Sequence, residues 1–312
     1  MMYDVIVVGA GAAGLTAAIY TCRKKLKTLI ISADIGGQTN LTNHIENYPG
    51  VEPCTGNSLM QKFFDNATGF GAEFVPSKVS KVEKKGKEFI LELANGEKYE
   101  TKSLILAFGK VARSLGIPGE QKFFGRGVST CATCDAPLYK NKTAIVVGGG
   151  NSAVEAVIEL SRIAKKIYLV HRSDSFRADE ISIEKLKELK NVEILLNHVL
   201  TEIKGDKKVS SAITQDSKTK KSRELQTDGV FTEIGYVVDT SMVAQLVKRN
   251  EKNEILVNER CESSCSGIFA AGDVTQVPYK QTVISAGEGA KAGLQVYNYL
   301  SQGKGSTIDW TH

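Results

Sequence analysis

Short unbroken apolar runs punctuate this chain, and several end in a cluster of glycines. Residues 5–8 (VIVV) are such a run, closed by Gly9. A helix is predicted from Ala12 to about Cys22, and the next strand covers residues 28–31. Strand, glycine turn, helix and strand make one βαβ unit. Strand-like segments follow at 73–75, 78–82, 89–93 and 97–99, with Asn95-Gly96 as a hairpin turn between the last two. Residues 103–109 (SLILAFG) predict another buried parallel strand.

The pattern then restarts. Residues 115–120 (LGIPGE) read as a linker, and residues 143–147 are apolar again. Gly148 to Gly150 turn, and a helix is predicted over 151–163. Its Val154, Val157, Leu160 and Ile163 recur at helical spacing, as a core-facing stripe does. A strand over 166–170 completes a diverged repeat of the first unit. The polar segment 204–224 predicts an exposed hairpin or loop. A further apolar run, GIFAAGD at 267–273, precedes a last helix over 282–300. The second unit needs only the middle of the chain, so this terminal piece is expected to return to the first. The fold class is α/β, with two nucleotide-binding-type units.

Composition narrows the choices. With 312 residues and 42% hydrophobic content, two globular units are expected. The 29 glycines against 6 prolines suit many tight βα turns better than disorder. The net charge of +5 is mild, and no basic stripe with interleaved aromatics occurs, which argues against nucleic-acid binding. No run is long and apolar enough to span a bilayer. The N-terminus lacks the basic region of a signal peptide, so a cytoplasmic protein is expected. In that compartment a close cysteine pair is more often catalytic or metal-binding than structural.

Three constellations carry chemistry. Gly9, Gly11 and Gly14 form G-x-G-x-x-G between a strand and a helix. Such a turn brings backbone N–H groups at a helix N-terminus up to a pyrophosphate. The acid that usually ends the second strand is missing: Ser32 stands there, with Asp34 two positions on, which argues against a simple NAD site. The second turn is Gly148, Gly150 and Ala153, and its second strand ends in HRSDSFRA. His171, Arg172 and Arg177 put positive charge where an NAD site places an acid, which favours the 2′-phosphate of NADPH. The third is Cys131, Cys134 and Asp135 in CATCD. A C-x-x-C pair can close a disulfide ring, open to a reactive thiolate and resolve a mixed disulfide, with the adjacent acid moving the proton. The alternative is half of a zinc site, with Cys261 and Cys265 supplying the other half.

The motifs VGAGAAG, GGQ, ENYPG, GRGVSTCATCD, GGGNSA, HRSDSFRA and GIFAAGDV with YKQ occur in this order over nearly the full chain. The chain resembles the low-molecular-weight thioredoxin reductases, two-domain flavoproteins. The resemblance implies two Rossmann-like three-layer domains and a homodimer. A discontinuous FAD domain would occupy 1–114 and 245–312, and an inserted NADPH domain 115–244 would carry the redox centre. It implies that Gly9, Gly11 and Gly14 cradle FAD, with Ser32, Gly37, Gln38, Asn47, Gly109, Gly272, Asp273, Lys280, Gln281 and Thr282 around the cofactor. Gly148, Gly150, Asn151, Ser152, His171, Arg172 and Arg177 would hold NADPH. Cys134 would face the flavin, Cys131 would attack thioredoxin's disulfide, and Asp135 would be the acid/base.

Departures are visible. Ser173 stands where the family often has a second arginine, and Ala136, Pro137 and Leu138 replace an aromatic pair that packs on thioredoxin. CDAPLYK, PYKQTVISAGEGAKA and the cysteines of RCESSCSGIFAAGD resemble the reductase subunits of alkyl hydroperoxide reductase. Those carry an N-terminal thioredoxin-like module; this sequence opens on its first glycine turn, so a separate redoxin partner is expected. The leading expectation is an NADPH-dependent thioredoxin-disulfide reductase. Alternatives are a reductase of another small redoxin, glutaredoxin-like or peroxiredoxin-linked, and a variant fed by ferredoxin or deazaflavin. From a different class comes a zinc-stabilised nucleotide-binding regulator without turnover.

Overall fold

The computed structural model describes residues 2–41 and 45–305; of Leu41, Thr133 and Cys134 only the backbone is described. Its α-helices are α1 (Ala12–Arg23), α2 (Gly56–Gly69), α3 (Ala132–Asp135), α4 (Asn151–Ser161), α5 (Glu180–Glu188) and α6 (Thr282–Leu300). The chain divides into two compact units, Met1–Val111 with Val237–His312, and Ala112–Tyr236. Among the described residues no helix is long and apolar enough to cross a membrane.

The first unit is built on a parallel sheet in the order Ile268–Ala270, Leu104–Leu106, Val5–Ala10, Thr28–Ile35, Glu73–Pro76. The run 5–8 is uninterrupted because both faces of its strand are covered. Val5 and Val7 pack with Leu15, Ala18 and Val296 on the side of α1 and α6. Ile6 and Val8 pack with Phe89, Leu91 and Leu93 of a second, mostly antiparallel sheet on the other side. Each fully buried aliphatic side chain contributes roughly 1.5–3 kcal/mol, so a polar residue on either face would be costly. Three layers result.

The second unit repeats the plan. Its parallel sheet runs Val128–Ser129, Gly229–Thr232, Thr143–Val147, Lys166–His171, Val192–Leu196. Val154, Val157 and Leu160 of α4 cover one face, as their spacing predicts. In each unit the strand before the glycine turn lies between the strand that follows it and a strand from much later in the unit. The chain thus departs in opposite directions on its two sides, which opens a crevice at the carboxyl ends of the strands, the usual ligand position in such sheets.

Two expectations need correction. Segment 204–224 is not simply exposed. It belongs to a three-stranded antiparallel sheet, His198–Gly205, Val209–Asp216 and Ser222–Gln226. Ile203, Val209, Ala212 and Leu225 of that sheet pack on the second face of the parallel sheet. Its lysine-rich turns hid that alternation. Residues 115–120 are likewise not a free linker. Glu120 is buried and accepts from the Leu115 and Gly116 amides, each at 2.8 Å.

Candidate cofactor and disulfide sites

Gly9, next to last in its strand, has φ 107°, and a Cβ there would lie 2.4 Å from the Ala107 carbonyl oxygen. A Cβ on Gly14 would lie 1.9 Å from the Gly9 oxygen. These two glycines therefore serve the fold. Gly11 differs: a Cβ there would meet only the Gly36 oxygen, at 3.9 Å. Gly11 is also the N-cap of α1, in extended conformation and with no side-chain cap. The first N–H groups of α1 thus face an open cradle that a side chain would fill, the geometry a pyrophosphate requires.

The other candidates of this unit gather near this turn. Gly272, at φ 80°, packs against Ala13 of α1. Asp273 follows it in a short 3-10 turn. Asn47 donates to Gln281 at 3.4 Å, Thr39 and Thr282 hydroxyls lie 3.3 Å apart, and Gln38 donates to the Lys110 carbonyl at 3.3 Å, beside Gly109. Lys280 donates to the Thr275 carbonyl, and burial, then Lys110, push its ammonium down. Ser32 is half-buried on its strand. Asp34 is exposed and accepts from the Gly37 amide at 3.1 Å, so it shapes the glycine turn.

Sequence reasoning missed Glu288. It is buried at 5% exposure on α6 and accepts from the Gly272 amide at 2.7 Å. Burial pushes its carboxyl up, opposed by that amide. The available signal was a lone acid in the small-residue stripe AGEGAKAG, where a face must pack closely.

In the second unit a Cβ on Gly148 would lie 2.2 Å from the Glu233 oxygen, whereas one on Gly150 would meet nothing within 4 Å. Gly150 is the extended, uncapped N-cap of α4, so the same cradle recurs. Asn151 is engaged with Asp179, donating to its carboxylate at 2.9 Å and accepting from its amide at 2.8 Å. Ser152, Arg172 and Arg177 are exposed, and the Arg177 amide donates to the Gly149 carbonyl at 2.7 Å, which holds this loop against the turn. His171 departs from the reading of three positive charges. It is buried, stacks on Phe176 and shares a hydrogen bond with the Ser175 carbonyl. Burial holds its imidazole below the usual range, so it is neutral at pH 7 and acts as a wall behind Gly149.

Cys131 is disulfide-bonded. Its amide donates to Ser129 Oγ at 3.0 Å and its carbonyl accepts from the Asp135 amide at 3.3 Å, so Asp135 is held on the same turn. The side chain of Cys134 lies outside the described residues. Just beyond, Leu138 is 66% exposed. A disulfide sulfur cannot serve as a zinc thiolate. Cys261 is buried among the side chains covering one face of the first unit's sheet, and Cys265 packs on the other. Burial pushes the Cys261 thiol up to about 11.

Two open cradles and a disulfide are the parts of a pyridine-nucleotide-driven dithiol enzyme. The family model for pyridine nucleotide-disulphide oxidoreductases matches residues 3–289. The chain belongs to this family. It is 40% identical to the thioredoxin reductase of Bacillus subtilis over 303 residues, covering 96% of both chains. It is 38% identical to a component of the alkyl hydroperoxide reductase of Escherichia coli, covering 97% of this chain but 59% of that protein. Among solved structures, a thioredoxin reductase of Lactococcus lactis superposes with a TM-score of 0.81 at 36% identity, over 96% of this chain and 99% of that one. The chain is an oxidoreductase of the FAD- and NADPH-using kind.

Proposed function

We propose that the chain is an NADPH-dependent, FAD-containing thioredoxin-disulfide reductase. The observation that carries the proposal is the pair of uncapped glycine cradles in separate units, the second sharing its unit with the Cys131 disulfide. In this reading the FAD domain spans 1–114 with 245–312, and the NADPH domain 115–244. The α1 cradle, Gln38, Asn47, Gly109, Asp273 and the 280–282 segment hold FAD; the α4 cradle, Arg172 and Arg177 hold NADPH. When bound, the two cofactors supply hydride transfer and two-electron delivery to the disulfide.

The chain's own residues then complete the reaction. Reduction opens the Cys131–Cys134 bond to two thiols. The Cys131 thiolate attacks a disulfide of the partner, forming a mixed disulfide and releasing one partner thiolate. Cys134 attacks Cys131 in that mixed disulfide, re-forming the internal bond and releasing the partner as a dithiol. Asp135 moves the proton that each thiolate gains or loses. The partner is a thioredoxin-like protein, and the reading includes a cytoplasmic homodimer. A peroxiredoxin-linked redoxin is the second reading, favoured by Ala136, Pro137 and exposed Leu138 where an aromatic pair is usual. Turnover with NADPH against a panel of purified redoxins tests the proposal; no activity with any of them contradicts it.

Ser173 gives a graded expectation. It is exposed next to Arg172, so an added arginine gains a charge-assisted contact at the low end of the usual range, about 1.5 kcal/mol. The native enzyme should prefer NADPH over NADH. Ser173→Arg should lower the KM for NADPH by up to about tenfold and leave that for NADH unchanged. Steady-state kinetics with both nucleotides decide this.

A further inference from the structure

In the second unit one carboxyl group stands where three elements meet. Glu233 follows the strand Gly229–Thr232, and its amide donates to the Val147 carbonyl at 2.8 Å. Its own carbonyl lies against Gly148, the first glycine of the turn. Its carboxylate accepts at 3.4 Å from the amide of Ala132, the residue after Cys131. The internal repeat supplies a control. In the first unit the equivalent residue is Ala107, whose amide donates to the Val8 carbonyl and whose carbonyl lies against Gly9. One unit presents a methyl group at its crevice; the other presents a carboxyl tied to the disulfide segment.

Among the described residues the titratable groups facing Glu233 are Glu155 of α4 and Tyr236 of its own segment. Among the described ion pairs none includes Glu233. Burial, with a further push from Glu155 and against the pull of the Ala132 amide, takes its carboxyl up to about 7.

We infer that Glu233 is a proton-linked positioning residue coupling the second glycine turn to the Cys131 segment. An anion on the α4 cradle disfavours a carboxylate beside it, so dinucleotide binding draws a proton onto Glu233. A neutral carboxyl accepts a weaker hydrogen bond than a carboxylate, so its hold on the Ala132 amide loosens. Nucleotide arrival thereby frees the segment that must deliver the disulfide. This inference rests on the proposal that a dinucleotide occupies the second turn.

The sign sets the pH window. Below about 6 Glu233 is already protonated, and binding takes up no proton through it. Around 7 about half of the free protein is ionised there, and somewhat above 7 most of it is, so binding takes up a substantial fraction of one proton. Titration calorimetry of the FAD-loaded protein with NADP+ at pH 7.5, in two buffers of different ionisation enthalpy, measures that uptake. Glu233→Gln should bind NADP+ without this uptake, and Glu155→Gln should shift the window to lower pH. Hydrogen exchange at the Ala132 amide should accelerate with NADP+ in the wild type, and be fast and indifferent to NADP+ in Glu233→Gln. Equal uptake in wild type and Glu233→Gln, or exchange at Ala132 unaltered by NADP+, overturns the inference while leaving the proposed enzyme standing. No binding of NADP+ at all removes both.

Discussion

Replacing Cys131 by serine should reduce thioredoxin turnover to background while NADPH still bleaches the bound flavin. The two half-reactions use different atoms. In the proposed reading hydride delivery needs the two glycine cradles, and a serine at 131 leaves both intact. Attack on a partner disulfide needs a thiolate, which serine cannot supply at neutral pH. Cys134→Ser should behave differently. Its Cys131 can still attack, but nothing resolves the mixed disulfide, so a covalent complex with the partner should accumulate and be identifiable by mass. Asp135→Asn should slow the thiol steps by about 10²-fold or more and spare flavin reduction, since proton transfer by a positioned group is typically worth that much. Stopped-flow absorbance separates the steps. Wild-type thioredoxin reduction by Cys131→Ser would reassign the attacking thiol.

The glycines of one turn should separate cofactor binding from folding. Gly11→Val should fold and melt near wild type, yet be isolated colourless. The new Cβ meets only one protein oxygen, at a distance of ordinary contact, and the side chain extends into the space in front of α1. Gly14→Ala should fold poorly, because its Cβ would sit 1.9 Å from a backbone oxygen that no side-chain rotation relieves. Overpacking of this kind costs ~1–3 kcal/mol or more. Gly150→Val should repeat the Gly11 result for NADPH, giving a yellow protein that NADPH does not bleach. Melting curves with released-flavin analysis test all three. A yellow Gly11→Val protein would remove the cradle from the account.

Much of this arrangement was legible in the residues because the parallel strands are buried on both faces. Runs such as 5–8 and 143–147 announce themselves, and the glycines that follow them mark the turns. The edges were harder. Helix α2 was overlooked because only Gly56, Leu59, Met60 and Ala67 of its 14 residues are buried, so its apolar stripe is thin. Helix α5 buries only Leu186. Buried acids were harder still. Glu233 and Glu288 look like ordinary surface carboxylates in the sequence, and only the tertiary packing puts them beside glycine amides or the disulfide segment. His171 shows the same limit: the letters HR suggest charge, but burial favours the neutral form of one of the two.

Anaerobic titration with NADPH reads the proposed electron path most directly. Flavin absorbance and free thiols should be followed together in the FAD-loaded protein. The path predicts that the first equivalent of NADPH yields about two thiols per chain in the wild type and leaves most flavin oxidised, with bleaching completed by the second. In Cys131→Ser the first equivalent should bleach the flavin and yield no new thiol. Thioredoxin added to the reduced wild type should return both signals to the oxidised state. Flavin bleaching with no thiols in the wild type would show that electrons do not pass through Cys131, and would contradict the account at its centre.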